Sequence, residues 1–309
     1  MINCLLCNST DNEVICKVDS KKIIRRYLNA FKTDFSYLFN ESEIKLIRCN
    51  SCDLRFFIPI VSGDEHFYTV LQKTNYYYRE EKQEYNIAAQ IINKGASILD
   101  VGCGKGEFKK FTPECNFIGL EFSSEAIKAG KENGCCILKQ SIEEHAELHS
   151  GKYDFVTAFQ VLEHVPNISD FIKSCAKCVK TGGKLIIAVP SDESYLYFST
   201  NSILNMPPHH ITRWTDKALI NIASIISFNF INIFHDNLDN LHIKSYFSAL
   251  IERSLPLKKT SSIKLIDDSL IYKMRTKVAG ILANQMLKAS THPAWHGKGQ
   301  NVTAVYQKL

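Results

Sequence analysis

The sequence predicts an α/β protein built on a doubly wound parallel sheet, and three observations lead there. From residue 97 onward, short apolar runs ("SILDV", "NFIGLE", "CCILK", "YDFVTAF" and "GKLIIAVP") alternate with helix-like segments at 106–113, 124–132, 142–149 and 167–180. Strands with so little polar alternation need cover on both faces, which βαβ units supply. The first run continues as "SILDVGCGKGEF", which ends its strand in Asp100 and then sets Gly102, Gly104 and Gly106 at every second position. Finally, two C-x-x-C pairs, Cys4/Cys7 and Cys49/Cys52, bracket the first fifty residues. Four thiolates on two knuckles are the ligand set of a structural zinc.

The elements follow in order. Between the cysteine pairs, "SKKIIRRYLNAFKTDFSYLF" places Ile23, Ile24, Tyr27, Leu28 and Phe31 at three- and four-residue spacings, the pattern of an amphipathic helix. "LRFFIPI" reads as a strand stopped by Pro59, and an aromatic-rich linker leads to a helical "NIAAQIINKG" closed by Gly95. After the five apolar runs comes a polar loop, "NMPPHHITRWT", then a helix over 216–226 and a strand, "FNFINIF". Some fifty residues of helical character follow, with Ile271, Met274, Val278, Ile281 and Met286 along one stripe, before a last strand in "QNVTAVYQKL". The expected division is a zinc-ribbon-like module over 1–60, a linker over 61–82, and a seven-stranded domain over 83–309 with a helical insert at about 236–291.

Composition excludes several classes. The 309 residues are 45% hydrophobic and 22% charged, ordinary globular chemistry. No apolar run approaches the ~18 residues of a membrane span, and "MINCLLCNST" lacks the basic-then-apolar pattern of a secretory signal. The expectation is a cytoplasmic protein. Eleven scattered cysteines in a chain of this length fit reduced thiols and a metal better than a disulfide scaffold. The net charge of +5, with no basic stripe interleaved with aromatics, argues against a nucleic-acid partner.

A bare glycine turn lets a ligand lie against the main chain. A dinucleotide needs G-x-G-x-x-G, but here the third position is Glu107, which would repel phosphate. Asp100 instead suits a ligand carrying positive charge. Glu121 ends the next strand, where a carboxylate can accept both ribose hydroxyls. With "LDVGCGKG", "FIGLEFS", "QSIEE", "YDFVTAFQVLEHVPN" and "VKTGGKLIIAVP" in this order, the chain resembles the class I S-adenosylmethionine-dependent methyltransferases over roughly residues 83–235 and the final strand. The resemblance implies a Rossmann-like, mostly parallel seven-stranded sheet. It also implies S-adenosylmethionine bound by Asp100, Gly102, Cys103, Gly104, Glu121, Phe122, Ser141, Ile142, Phe159 and Gln160. Ser141 and Ile142 would flank the adenine, and the backbone at Phe159 and Gln160 would hold the methionine end.

The segments "RCNSCDLRFFIPI", "FYTVLQ" and "YYREEKQEY" are similar to the front end of bacterial methyltransferases that carry a cysteine knuckle and are associated with sugar or polysaccharide assembly, although Asp53 stands where they have glycine. That implies zinc on Cys4, Cys7, Cys49 and Cys52, and a hydroxyl acceptor on a sugar, nucleotide sugar or glycan intermediate. A hydroxyl acceptor needs a base near neutral pH, for which histidine is suited. "PPHH" offers His209 and His210, with His210 slightly favoured, on a loop at the carboxyl ends of the strands, where ligands of such sheets bind. Glu163 and His164 of "LEHV" lie where the family lines its cofactor mouth, Glu163 also reading as an acid of the following helix's first turn. The insert could cap the substrate or form a homodimer face. Two other readings stand beside this one: an RNA methyltransferase using the zinc module for RNA, and a non-catalytic zinc-ribbon adaptor.

Overall fold

The computed structural model describes residues 2–73, 82–254, 264–289 and 297–309. The tyrosines expected in the linker at 76–78, and the side chain of Met286, lie outside the described residues. The chain opens with β1 (Asn12–Asp19), α1 (Ser20–Phe31), β2 (Glu43–Cys49) and β3 (Arg55–Ile58). Sequence reading finds α1 and β3 but neither β1 nor β2. β1 is an edge strand that buries only Val18, so it carries little of the alternation that marks a strand. Asp19 starts α1 by accepting the Lys21 N–H at 2.8 Å. The helix buries Ile23 and Tyr27 while Leu28 stays exposed. Tyr27 meets Phe35 and Phe67 edge to face, Phe67 coming from α2 (Glu65–Gln72).

Next come α3 (Gln83–Ile91), β4 (Ser97–Val101), β5 (Asn116–Leu120), α4 (Ser124–Glu132), β6 (Cys136–Leu138), α5 (Ile142–Leu148), β7 (Tyr153–Phe159), α6 (Ile168–Cys178) and β8 (Val179–Pro190). β9 (Thr212–Arg213), α7 (Asp216–Ile226), β10 (Phe228–Asn237), α8 (Asn240–Ser254), α9 (Leu270–Ala289) and β11 (Lys298–Lys308) complete the described elements. Seven strands pair in the order β10-β11-β8-β7-β4-β5-β6, with β11 antiparallel to both neighbours and β8, β7, β4, β5 and β6 parallel. This is the Rossmann-like sheet of the class I methyltransferases. Successive residues feed opposite layers: Leu99, Val156 and Ile187 join the core with Ile172 and Leu219, whereas Ile98, Phe155 and Ile186 pack with Tyr85 and Phe108.

Two local expectations are corrected. The helix expected over 106–113 is a short 3₁₀ turn at 107–111, entered from Gly106 at φ +77° and left at Thr112, which precedes Pro113. The residue before a proline disfavours helical backbone, so the segment has no room for a longer helix. The apolar stripe of α9 also points the other way. Ile271, Met274, Val278 and Ile281 are exposed, and the helix buries Ala279 and Ala283, small residues that permit close approach.

A second, four-stranded antiparallel sheet runs β1-β2-β3-β9. Its last strand comes from beyond β8, pairing Arg55 with Arg213 and Phe56 with Thr212. Asp192, on the loop after β8, lies between the same two arginines, 2.5 Å from Arg55 and 3.7 Å from Arg213. Burial raises the Asp192 carboxyl from its ordinary value, and the two guanidiniums oppose that. Asp192→Asn would leave two buried cations uncompensated. It is expected to cost about 3–5 kcal/mol of unfolding free energy, read from denaturant midpoints.

Candidate active site

A cleft of about 1480 Å³ opens where β4, β5, β7 and β8 end, and Val101, Leu120, Phe159 and Pro190 lie on its wall. The turn after β4 is pinned from below: Gly102 and Cys103 donate to the Leu120 carbonyl at 2.8 and 3.0 Å. Gly102 sits at φ +70°, and a Cβ there would lie 2.4 Å from Val161 Cγ2. Bareness at Gly102 therefore serves the packing of this turn on the loop after β7, as well as any ligand above it.

Glu121 closes the turn from the neighbouring strand. Its Oε2 accepts the Gly104 N–H at 2.9 Å, and its Oε1 accepts those of Phe122 and Ser123 at 2.7 and 2.8 Å. Asp100, beneath, is buried and accepts the Thr157 hydroxyl at 2.8 Å. Burial pushes its carboxyl up to about 7, the hydroxyl bond pulling the other way. Cys103 lines the cleft, yet its Sγ lies against Gly119, so its backbone is what faces a ligand. Phe122 is exposed at the mouth. Ser141 caps α5 by accepting the Glu144 N–H, and Ile142 beside it is buried on the wall. Gln160, at φ +58°, gives its side-chain amide to Glu84 at 3.2 Å.

Sequence reasoning missed Tyr68, Glu84, Tyr85, Asn205 and Asp236, all on this wall. Glu84 and Tyr85 lie in the "YYREEKQEY" run, whose composition was the available signal. Tyr68 lies in "FYTVLQ" and Asn205 opens "NMPPHHITRWT", segments already singled out, whereas Asp236 has no such signal and only folding brings it in. Asp236 is held up to about 7, mostly by burial.

The histidines expected on the rim are enclosed. His209 and His210 are 7% and 9% exposed, and His164 joins them, with ring centroids 4.6 Å and 5.0 Å from theirs. One ring nitrogen of each lies within 4.8 Å of the other two. Two loops are laced to achieve this: Ile211 donates to the Glu163 carbonyl at 2.9 Å, and His164 Nδ1 to the His209 carbonyl at 2.6 Å. Burial pulls His164 down to about 4 and holds His209 and His210 well below the ordinary imidazole value, so all three are neutral at pH 7. The loop offered in the sequence as a source of a base thus holds buried rings. Glu163 is buried beside them and pushed up to about 8 by desolvation.

Away from the cleft, Cys4 and Cys52 Sγ are 3.5 Å apart and Cys7 and Cys49 Sγ 3.6 Å, all four mutually within 4.8 Å. A tetrahedral zinc with Zn–S of ~2.3 Å has sulfur–sulfur edges of about 3.8 Å, so the cluster fits that ion. Asp53, in the glycine position of the knuckle, adopts φ +66°, which aspartate tolerates better than most residues, and Arg48 holds its carboxylate.

Residues 72–233, just over half of the chain, match the family model for a methyltransferase domain. The chain belongs to the methyltransferase-domain family. Among curated relatives of this methyltransferase domain are proteins named ubiquinone biosynthesis O-methyltransferase. That of Sodalis glossinidius is 32% identical over 139 residues, 40% of this chain and 56% of the relative. That of Erwinia tasmaniensis is 30% identical over 160 residues, 44% of this chain and 66% of the relative. The match thus spans roughly half to two thirds of these relatives' length. A solved SAM-dependent methyltransferase from Archaeoglobus fulgidus superposes with a TM-score of 0.51 at 19% identity, covering 78% of this chain and all of that one, a likeness of fold. No described helix is long and apolar enough to cross a membrane.

For a methyltransferase domain the cofactor fit can be tested on the cleft. Its carboxylates, Asp100, Glu84, Glu121 and Asp236 among them, outnumber Lys82, Lys105 and Lys139. Asp236 Oδ1 is buried with no partner among the described residues. That donor set suits a cationic sulfonium and ammonium and opposes a pyrophosphate.

Proposed function

We propose that this chain is an S-adenosylmethionine-dependent O-methyltransferase whose acceptor is a hydroxyl of an uncharged sugar or glycan. The observation that carries the reading is that one cleft holds both the acid-lined glycine turn and a set of neutral histidines. Residues 1–60 are read as a zinc module on Cys4, Cys7, Cys49 and Cys52, 61–82 as the connection, and 83–309 as the catalytic domain with its insert at about 236–291.

S-adenosylmethionine, when bound, supplies an electrophilic methyl group on a sulfonium. Glu121 is placed to accept the ribose hydroxyls, its backbone bonds holding the carboxylate in position. The backbones of Gly102, Cys103 and Gly104 form the floor, Phe122, Ser141 and Ile142 the adenine side, and Phe159, Gln160 and Asp100 the methionine side. Most of the catalytic work is positioning. A neutral imidazole among His164, His209 and His210 is available to take the proton that the acceptor hydroxyl must lose.

The acidic lining supports an uncharged acceptor over a nucleotide sugar or RNA, whose phosphates it would repel. Ser199, Thr200, Asn201 and Ser202 on the wall offer the hydroxyl and amide groups a polyol needs. The name of the curated relatives favours a second reading, a hydroxylated quinone-type ring. Labelled cofactor incubated with neutral glycans, nucleotide sugars, hydroxylated quinone precursors and RNA separates these. Label in an alkali-stable ether of the neutral glycan pool is expected, and label confined to RNA, or transferred nowhere, would sink the proposal.

Cofactor affinity should also depend on pH. Asp100 titrates near 7 without ligand, and a cation binds its ionised form better, so affinity should rise with pH and fall about tenfold per unit below 7. Lys82 and Glu121 act on Asp100 with opposite sign. Calorimetry from pH 5.5 to 8.5 should show this slope and proton release at pH 6.5, both reduced in Asp100→Asn. A flat profile in the wild type would contradict it.

A further inference from the structure

The three histidines carry a second consequence through their outer edges. His209 Nδ1 lies 2.8 Å from the Leu204 carbonyl, His164 Nδ1 2.6 Å from the His209 carbonyl, and His210 Nδ1 3.3 Å from Asn205 Oδ1. A main-chain carbonyl oxygen can only accept, so Nδ1 of His209 and of His164 carries the proton and Nε2 of each presents a lone pair, and the Asn205 side-chain oxygen facing His210 Nδ1 favours the same tautomer there. This is how metal-binding histidines are oriented, with an outer oxygen fixing the tautomer. Three ring nitrogens within 4.8 Å of one another form the cluster. Glu163 stands beside it, its Oε1 3.7 Å from His164 Nε2 and its Oε2 buried with no partner among the described residues.

We propose that His164, His209, His210 and Glu163 form a binding site for a divalent first-row transition ion in the wall of the cleft, separate from the thiolate cluster. Three imidazoles and a carboxylate are the donor set of zinc, nickel, cobalt or iron(II), whereas magnesium and calcium prefer oxygen ligands alone. The ion would compensate a buried carboxylate oxygen that has no partner among the described residues. An ion with a coordination position open to the cleft would bind an acceptor hydroxyl and make it more acidic; with the ion bound the three imidazoles serve as its ligands, and the hydroxyl proton would pass to water instead of to a ring. Only that use of the ion rests on the methyltransferase reading; its binding does not.

The test titrates nickel(II) into the full chain purified with zinc in the thiolate cluster, followed by calorimetry and metal analysis. One nickel per chain is expected, with zinc retained. His164→Gln and His210→Gln should each weaken nickel at least tenfold, and Asn205→Ala, which frees only the outer edge of His210, by about 10- to 100-fold. Far-ultraviolet circular dichroism on the same samples reports whether each variant remains folded, and S-adenosylmethionine affinity is measured separately. Cobalt(II) in place of nickel should give absorption without thiolate charge transfer. No uptake beyond the thiolate cluster, or uptake unchanged in folded variants, overturns the site. Nickel bound by a chain with no affinity for S-adenosylmethionine upholds the site and defeats the cofactor assignment, and the reverse result defeats the site alone.

Discussion

If zinc fills the Cys4, Cys7, Cys49 and Cys52 cluster as proposed, stripping it is expected to abolish turnover while cofactor affinity changes little. The cluster lies at the turn between β2 and β3, and β3 is the strand on which β9 pairs. Phe57 donates to the Ile211 carbonyl at 3.0 Å, one residue past His210, and the Thr215 hydroxyl donates to the Asp53 carbonyl in the knuckle itself. The Tyr27 hydroxyl lies 3.0 and 3.2 Å from the Ile203 and Met206 carbonyls of the same loop and shares its one proton between them. The knuckle therefore holds the loop that delivers His209 and His210. The glycine turn and Glu121 are held by β4 and β5, which do not belong to that sheet. Structural zinc in small modules supplies about 10–16 kcal/mol of apparent binding energy, so its removal should unfold the four-stranded sheet first. Zinc would be displaced with a thiol-reactive mercurial and chelator, and turnover and cofactor Kd measured before and after zinc is restored to the reduced thiols. Unchanged turnover in a zinc-free chain would show that the module positions nothing in the cleft.

His210→Ala is expected to lower turnover by about 10²–10⁴-fold at saturating cofactor, with cofactor affinity nearly intact. Its position supports this: the ring is buried in the cleft wall with His164 and His209. The pH profile sharpens the test. A histidine whose folded pKa is depressed is deprotonated above that value, and His164 is held to about 4, with His209 and His210 also well below the ordinary range. Between pH 5.5 and 8 the set stays neutral, so the wild type should show no histidine limb near 6.5 at saturating cofactor, and the variant should lose rate by one factor at every pH. A limb near 6.5 that disappears in His210→Ala would instead mean that the rings are solvated in the working enzyme. Near-normal turnover in His210→Ala would leave the histidines as loop structure.

The glycine-turn half of the cleft was legible because its parts are contiguous or set by strand period. Asp100, Gly102 and Gly104 occupy a strand end and its turn, and Glu121 lies at the end of the next parallel strand, in register with them. Any chain that forms those two strands places these residues together, so spacing carries the information. The thiolate set was legible for the same reason, two knuckles each brought to one point by a local turn. β1 escaped because an edge strand with one buried residue has no pattern to detect, and α9 misled because its buried face is made of alanines while its larger apolar residues face outward.

The histidine half of the cleft depended on contacts that no spacing encodes. His164 meets His209 across 45 residues, Gln160 meets Glu84 across 76, and β3 meets β9 across more than 150. The first and last follow from how β9 and its loop join the four-stranded sheet, the second from how α3 packs beside β7, and together they bury rings that composition places at the surface. Burial in turn sets the chemistry, since an imidazole denied water cannot hold its proton and a carboxyl denied water cannot lose it. Residue type and period were enough to determine the sheet, the glycine turn and the thiolate cluster. The charge state and tautomer of the histidines, and the coupling of the knuckle to their loop, were decided by desolvation and long-range pairing, which exist only once the chain is folded.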